Sequence, residues 1–144
     1  MKLINENQVE NECIKFFNDI AYEYKHGKFF NPDEKETERN NITKVILVER
    51  LKSAIIKINP DIPFKKIENS IDQILNPNIP DLYNCNREIH SWLTKGFQIT
   101  YMKDDQEIGH QLKLIDFDNL ENNDFLVVNQ FEVKGDKRLR RPDV

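Results

Sequence analysis

A chain of 144 residues can hold one domain with a core of its own, and nine Phe, one Trp and many Ile supply that core although the mean hydropathy is −0.70. Four glycines are too few for a many-turned all-β protein, and a net charge of −4 excludes a general nucleic-acid coat, so any such contact has to be local. Cys13 and Cys85 lack metal-ligand spacing, which argues against a zinc site. With no apolar leader and no apolar run long enough to span a membrane, the expected compartment is the cytoplasm, with both thiols reduced and no membrane partner.

The first apolar periodicity predicts a helix over 8–25, with Val9, Cys13, Phe16, Phe17, Ile20 and Tyr24 on one stripe and Gly27 as its stop. Glu10 and Glu12 fall near its start, where carboxylates favour the positive end of the helix dipole; that is the plain reading of both. Residues 28–41 are polar and read as a loop. A second helix is expected over 42–58, with Ile42, Val45, Ile46, Leu51, Ile55 and Ile58 inward. Asn59-Pro60 ends it, because the residue before proline is pushed out of the helical region. A third, 63–75, uses Phe64, Ile67, Ile71, Ile74 and Leu75 and stops at Asn76-Pro77. A fourth, 85–95, uses Ile89, Trp92 and Leu93 and stops at Gly96. His90 and His110 have no ligand-spaced neighbour and read as surface or core-edge residues.

After Gly96 the apolar period changes from 3.6 to 2. Strands are expected over 97–102, 111–117 and 124–133, with Asp118–Asp124 as turn chemistry between the last two. Helices first and an antiparallel β meander after them make an α+β fold in a single domain, residues 1–144. Pro142-Asp143-Val144 would enter a further strand, so the sheet is expected to lack a neighbour. The last stretch also concentrates charge. Lys134, Lys137, Arg138, Arg140 and Arg141 against Asp136 and Asp143 make residues 134–144 +3, which leaves −7 on residues 1–133. A solvated charged tail is the plain reading. The alternative is a phosphate contact through Lys137, Arg138, Arg140 and Arg141, with Asp143 placed to meet a divalent metal. Pro-Asp alone decides nothing, since four of the six prolines precede Asp and three of those pairs sit in turns between helices.

Several phrases carry a resemblance. They are Glu10-x-x-Cys13-Ile14-x-x-Phe17 followed by Tyr22-x-Tyr24 and Gly27; Leu51-Lys-Ser-Ala-Ile-Ile-Lys-Ile-Asn-Pro60-Asp-Ile-Pro63; Asn86-Arg-Glu-Ile-His90 with Lys95-Gly96-Phe97; Leu114-Ile-Asp-Phe117; Asn123-Asp-Phe-Leu-Val-Val-Asn-Gln-Phe131; and Arg140-Arg-Pro-Asp143. In this order, over nearly the whole chain, the sequence resembles the N-terminal region of the restriction (R) subunit of type I restriction–modification enzymes. The resemblance implies a nuclease fold of the PD-(D/E)xK type, incomplete here because the chain stops just after the Pro-Asp motif. By motif, Asp143 matches the first catalytic and metal-binding carboxylate and Glu10 the helix carboxylate. The acidic-x-Lys pair that follows in the family has no counterpart. The implied cofactors are Mg²⁺ for cleavage and ATP at motor domains outside this chain; the implied partners are DNA and the methyltransferase (M) and specificity (S) subunits. Phosphodiester hydrolysis needs a metal that activates water and offsets developing charge. Glu10 and Asp143 without the Lys are half of such a site, so the chain alone is expected to be inactive. The competing readings are a non-catalytic DNA- or protein-binding module with a degenerate nuclease fold, or such a fold in an unrelated defence or mobile-element protein.

Overall fold

The computed structural model describes residues 5–35, 37–135 and 138–142. These form helices α1 (Glu6–Asp19), α2 (Val48–Ile58), α3 (Phe64–Leu75) and α4 (Leu82–Lys95) and strands β1 (Glu23–His26), β2 (Phe97–Lys103), β3 (Gln106–Leu112), β4 (Leu126–Asn129), β5 (Val133–Lys134) and β6 (Leu139–Arg140). The α+β class holds. The strands, however, pair as three two-stranded sheets: β1 with β4 in parallel, β2 with β3 and β5 with β6 antiparallel. The single antiparallel meander expected from the sequence is therefore not formed, because β4 takes its partner from the beginning of the chain.

The described residues fall into two compact units, one running from Val48 to Asn123 and the other made of the segments before and after it. The Val48–Asn123 unit buries Ile55, Ile62, Ile67 and Ile71 against Ile99, Tyr101 and Leu112, so two helices and their connection cover a hairpin. The hairpin turns on Asp104-Asp105, both at positive φ (51° and 59°), with Lys103 opposite Gln106. That is the two-residue turn whose twist suits antiparallel strands. It uses Asp-Asp where glycine is the usual cue, so the second strand starts at Gln106 rather than at the expected 111. Beyond Leu112 the pairing passes to a side chain. Asn59 accepts from Lys113 N–H at 2.9 Å and donates to Lys113 O at 2.8 Å, which ties the end of α2 to the end of β3. Residues 113–117 thus become a bonded loop, not a strand. Asp116 accepts from Asp118 N–H, Asn119 N–H and the Asn122 amide, and Asn123 brackets its backbone at 2.8 Å and 2.7 Å.

In the other unit α1 opens with a reciprocal capping box, the Asn5 side chain on Gln8 N–H and the Gln8 side chain on Asn5 N–H. It ends at Asp19, six residues before the expected end. Tyr22 N–H bonds Phe17 O, Ala21 N–H bonds Asn18 O, Ala21 sits at φ 67°, and the Phe17 and Tyr22 rings meet at 5.1 Å. This is a Schellman C-cap with its usual apolar contact, but with Ala where Gly is the cue. The chain leaves it as strand β1. The next expected helix also starts late, at Val48. Asn41 folds back onto Thr43, and the carbonyls of Ile42 and Lys44 are taken by Lys134 N–H and the Arg39 guanidinium. Val45 and Ile46, expected inside, are exposed.

Candidate active site

The face that α1 presents to its unit is Glu10, Cys13, Ile14 and Phe17, all half-buried at i, i+3, i+4 and i+7. Val9, Phe16 and Ile20, expected on the inward stripe, are exposed instead, at 53%, 60% and 49%. The packing stripe is thus turned by one residue, and its first position is a carboxylate.

Glu10 reaches the C-terminal end of β4. Asn129 Nδ2 donates to its Oε1 at 2.9 Å and Gln130 Nε2 to the same oxygen at 3.0 Å. Asn129 is itself buried, opposite His26 in the parallel register, and its Oδ1 accepts the Tyr24 hydroxyl at 2.9 Å. A chain of two hydrogen bonds, Tyr24 to Asn129 to Glu10, therefore fixes the carboxylate from both strands. The amides of Gln130 and Asn129 hold the Glu10 carboxyl below its ordinary range; partial burial opposes them and His26 adds a smaller attraction. Both bonds fall on Oε1, and among the described residues Oε2 accepts no hydrogen bond. Glu10 is thus ionised and held in one orientation by the two amides.

Backbone geometry places the two amides. Gln130 adopts φ 54°, so the chain turns sharply as β4 ends. Gly27, the residue after β1, lies directly against that turn. A Cβ on Gly27 would stand 2.2 Å from the Gln130 carbonyl oxygen, a contact only glycine avoids. Arg39 braces the same region from inside. It is 3% exposed, donates to Phe30 O at 2.9 Å, Lys44 O at 3.2 Å and Glu132 O at 2.8 Å, and stacks its guanidinium 4.3 Å from the Phe131 ring centre.

Of the basic residues singled out in the sequence, Arg138 and Arg140 are exposed, with Arg140 paired to Val133 across β5–β6. Arg141 is also exposed, and it bonds the Glu132 carboxylate, so its charge is partly offset. Asp143 and Lys137 lie outside the described residues, and with them the expected approach of Glu10 to Asp143. Among the described residues no three His, Cys, Asp or Glu side chains gather as a metal cluster. One oriented carboxylate does fit Mg²⁺, which dehydrates reluctantly and is usually held by one or two carboxylates with waters and phosphate oxygens.

The family described as "Type I restriction enzyme R protein N terminus" matches residues 3–144. The chain is 29% identical to the "Type I restriction enzyme HindI endonuclease subunit" of Haemophilus influenzae, over 99% of this chain and 14% of that protein. It is 32% identical to the "Putative type I restriction enzyme MjaIXP endonuclease subunit" of Methanocaldococcus jannaschii, again over 99% of this chain and 14% of the relative. The chain thus spans about 14% of the length of these curated relatives. No solved structure matches. No helix of the described residues is long and apolar enough to cross a membrane.

Proposed function

We propose a role that proceeds from one fact: this chain belongs to the family of type I restriction enzyme R protein N termini. Residues 1–144 are the N-terminal part of one nuclease domain in an R subunit, acting with the M and S subunits to cut unmodified DNA after ATP-driven translocation. Glu10 and Asp143 are the carboxylates this chain gives to the metal site. Lys137, Arg138, Arg140 and Arg141 give cations to the phosphate backbone, and the acidic-x-Lys half of the site belongs to the longer subunit. The cytoplasm, where DNA and ATP meet, is the compartment of the work.

Support comes from the carboxylate of Glu10, which two amides hold ionised by one oxygen while the other stays open to a cation. Bound Mg²⁺ would supply water activation and charge neutralisation at the phosphate. The protein's own part is orientation. Carboxylates that ligate metals are themselves hydrogen-bonded, and losing such partners typically weakens metal affinity by 10–100-fold. Asn129 and Gln130 are placed for that role. The basic strand end works at longer range. It offsets, locally, the −7 on residues 1–133 that repels DNA.

The test is Glu10→Gln, and in parallel Asp143→Ala, in the assembled R–M–S complex. Cutting of unmethylated plasmid should fall at least about a hundredfold, while ATP-dependent translocation stays at the wild-type rate. Cutting at the wild-type rate in Glu10→Gln would return that residue to a helix-end charge.

A further inference from the structure

A cleft of about 280 Å³ opens in the same unit, lined by His26, Lys28, Asn31, Gln130, Glu132 and Arg141. Gln130 belongs to both places, since it lines the cleft and its amide donates to Glu10. We propose that this cleft is a phosphodiester subsite beside Glu10, built to take a DNA backbone phosphate next to the one that is cut. The proposal rests on the nuclease reading above and adds His26, Lys28 and Asn31 to the residues that contact DNA.

A phosphodiester carries one negative charge and offers only acceptors, so its site needs donors and cations. His26 Nδ1 accepts the Lys28 N–H at 3.1 Å, which leaves Nε2–H as the donor of the neutral ring. The same bond caps the short 3₁₀ turn Gly27–Phe30, so ring and turn hold each other in place. Lys28 is exposed and lines the cleft, its ammonium 5.1 Å from the Phe29 ring centre. Asn31 also lines the cleft, and its side-chain amide can donate to an acceptor there.

Glu132 gives the cleft its character. Its carboxylate, 19% exposed, bonds Arg141, which occupies a cation a phosphate would otherwise use. An arriving phosphodiester competes with Glu132 for Arg141, so Glu132 acts as a brake on binding. Two substitutions in one cleft should therefore act in opposite directions, which a general loss of folding would not produce.

The experiment measures binding of the purified full-length R subunit to a non-specific duplex, without divalent cation, across a range of salt. Lys28→Ala should weaken binding and lower the slope of log K against log salt by about 0.9, one phosphate contact, and Lys28→Arg should restore it. Glu132→Gln should strengthen binding and steepen the slope by a similar amount. Unchanged slopes in both, or a change in the same direction in both, would overturn the subsite. Glu10→Gln, scored for cutting in the assembled complex, keeps the two readings apart. Loss of cutting there with flat slopes here sinks the subsite alone, and retained cutting sinks the nuclease reading of Glu10.

Discussion

The Val48–Asn123 unit and the unit formed by the rest of the chain balance apolar burial and polar bonding differently. The first is held chiefly by apolar burial, with seven isoleucine, leucine and tyrosine side chains at 7% exposure or less and its polar hub, Asp116, wrapped by its own loop. The second buries fewer apolar side chains, Phe30 and Val127 foremost, and adds directed polar bonds: an arginine among backbone carbonyls, and a carboxylate tied to two amides. Apolar cores tolerate exchange of shapes of similar volume. A network of directed bonds tolerates little, but it fixes where an oxygen points, and positioning is what a metal-dependent site needs.

The sharpest way to break this contrast is to remove the brace. Arg39→Met should destabilise its unit by roughly 3–5 kcal/mol, because the buried carbonyl of Phe30 and the part-buried carbonyls of Lys44 and Glu132 lose their donors together. Hydrogen exchange should then speed up across β1, the turn at Gly27 and β4 while β2 and β3 keep their protection. Ile55→Ala, at a fully buried position, should cost about 2–5 kcal/mol and give the reverse pattern. Uniform loss of protection in both variants would mean that the units do not differ as described.

Gly27→Ala comes next, at about 1–3 kcal/mol from the clash of its Cβ with the Gln130 carbonyl. It should move Gln130, and so the amide on Glu10, while leaving the Ile55–Leu112 core intact. An unperturbed Gln130 side-chain NMR signal in this variant would separate the Gly27 contact from the placing of Glu10.

The helices and the hairpin were legible because their apolar spacings are regular: α3 and α4 begin within three residues of expectation, and β2 ends within one. What the sequence hid was hidden by unusual residues in left-handed positions. Ala21 and Asp104-Asp105 do what Gly does elsewhere, so the periodicity carries α1 too far and starts the second hairpin strand at 111 instead of Gln106. Parallel pairing of β1 with β4 joins residues about a hundred positions apart and leaves no local trace. Glu10 was found through a family phrase. Asn129 and Gln130 stood in another such phrase but read only as strand residues. A polar Asn on the inward face of a strand was the available signal. Nothing in the pattern marked Arg39, since a buried arginine is defined by the carbonyls it meets.

The smallest expected effect is a shift with pH. Hydrogen bonds from the Asn122 amide and the Asn119 and Asp118 amides, with the charge of Lys113, hold the Asp116 carboxyl below its ordinary value against partial desolvation. Its folded value is depressed, so its contribution is complete above the unfolded value of about 3.9 and is lost as pH falls through the folded value. Asn122→Ala removes the largest cause and should move acid unfolding of this unit to higher pH, followed by Trp92 fluorescence. The unit that holds Glu10 should keep its acid midpoint. A common shift of both would show that they titrate as one body.

The claim that the polar unit exists to aim Glu10 is tested most directly by Mn²⁺ titrated into the protein while the side-chain amide NMR signals are followed. The account predicts selective broadening of the Asn129 and Gln130 amides at low Mn²⁺, abolished by Glu10→Gln and weakened 10–100-fold by Asn129→Leu. Broadening that spares these two amides, or that persists unchanged in Glu10→Gln, would contradict it.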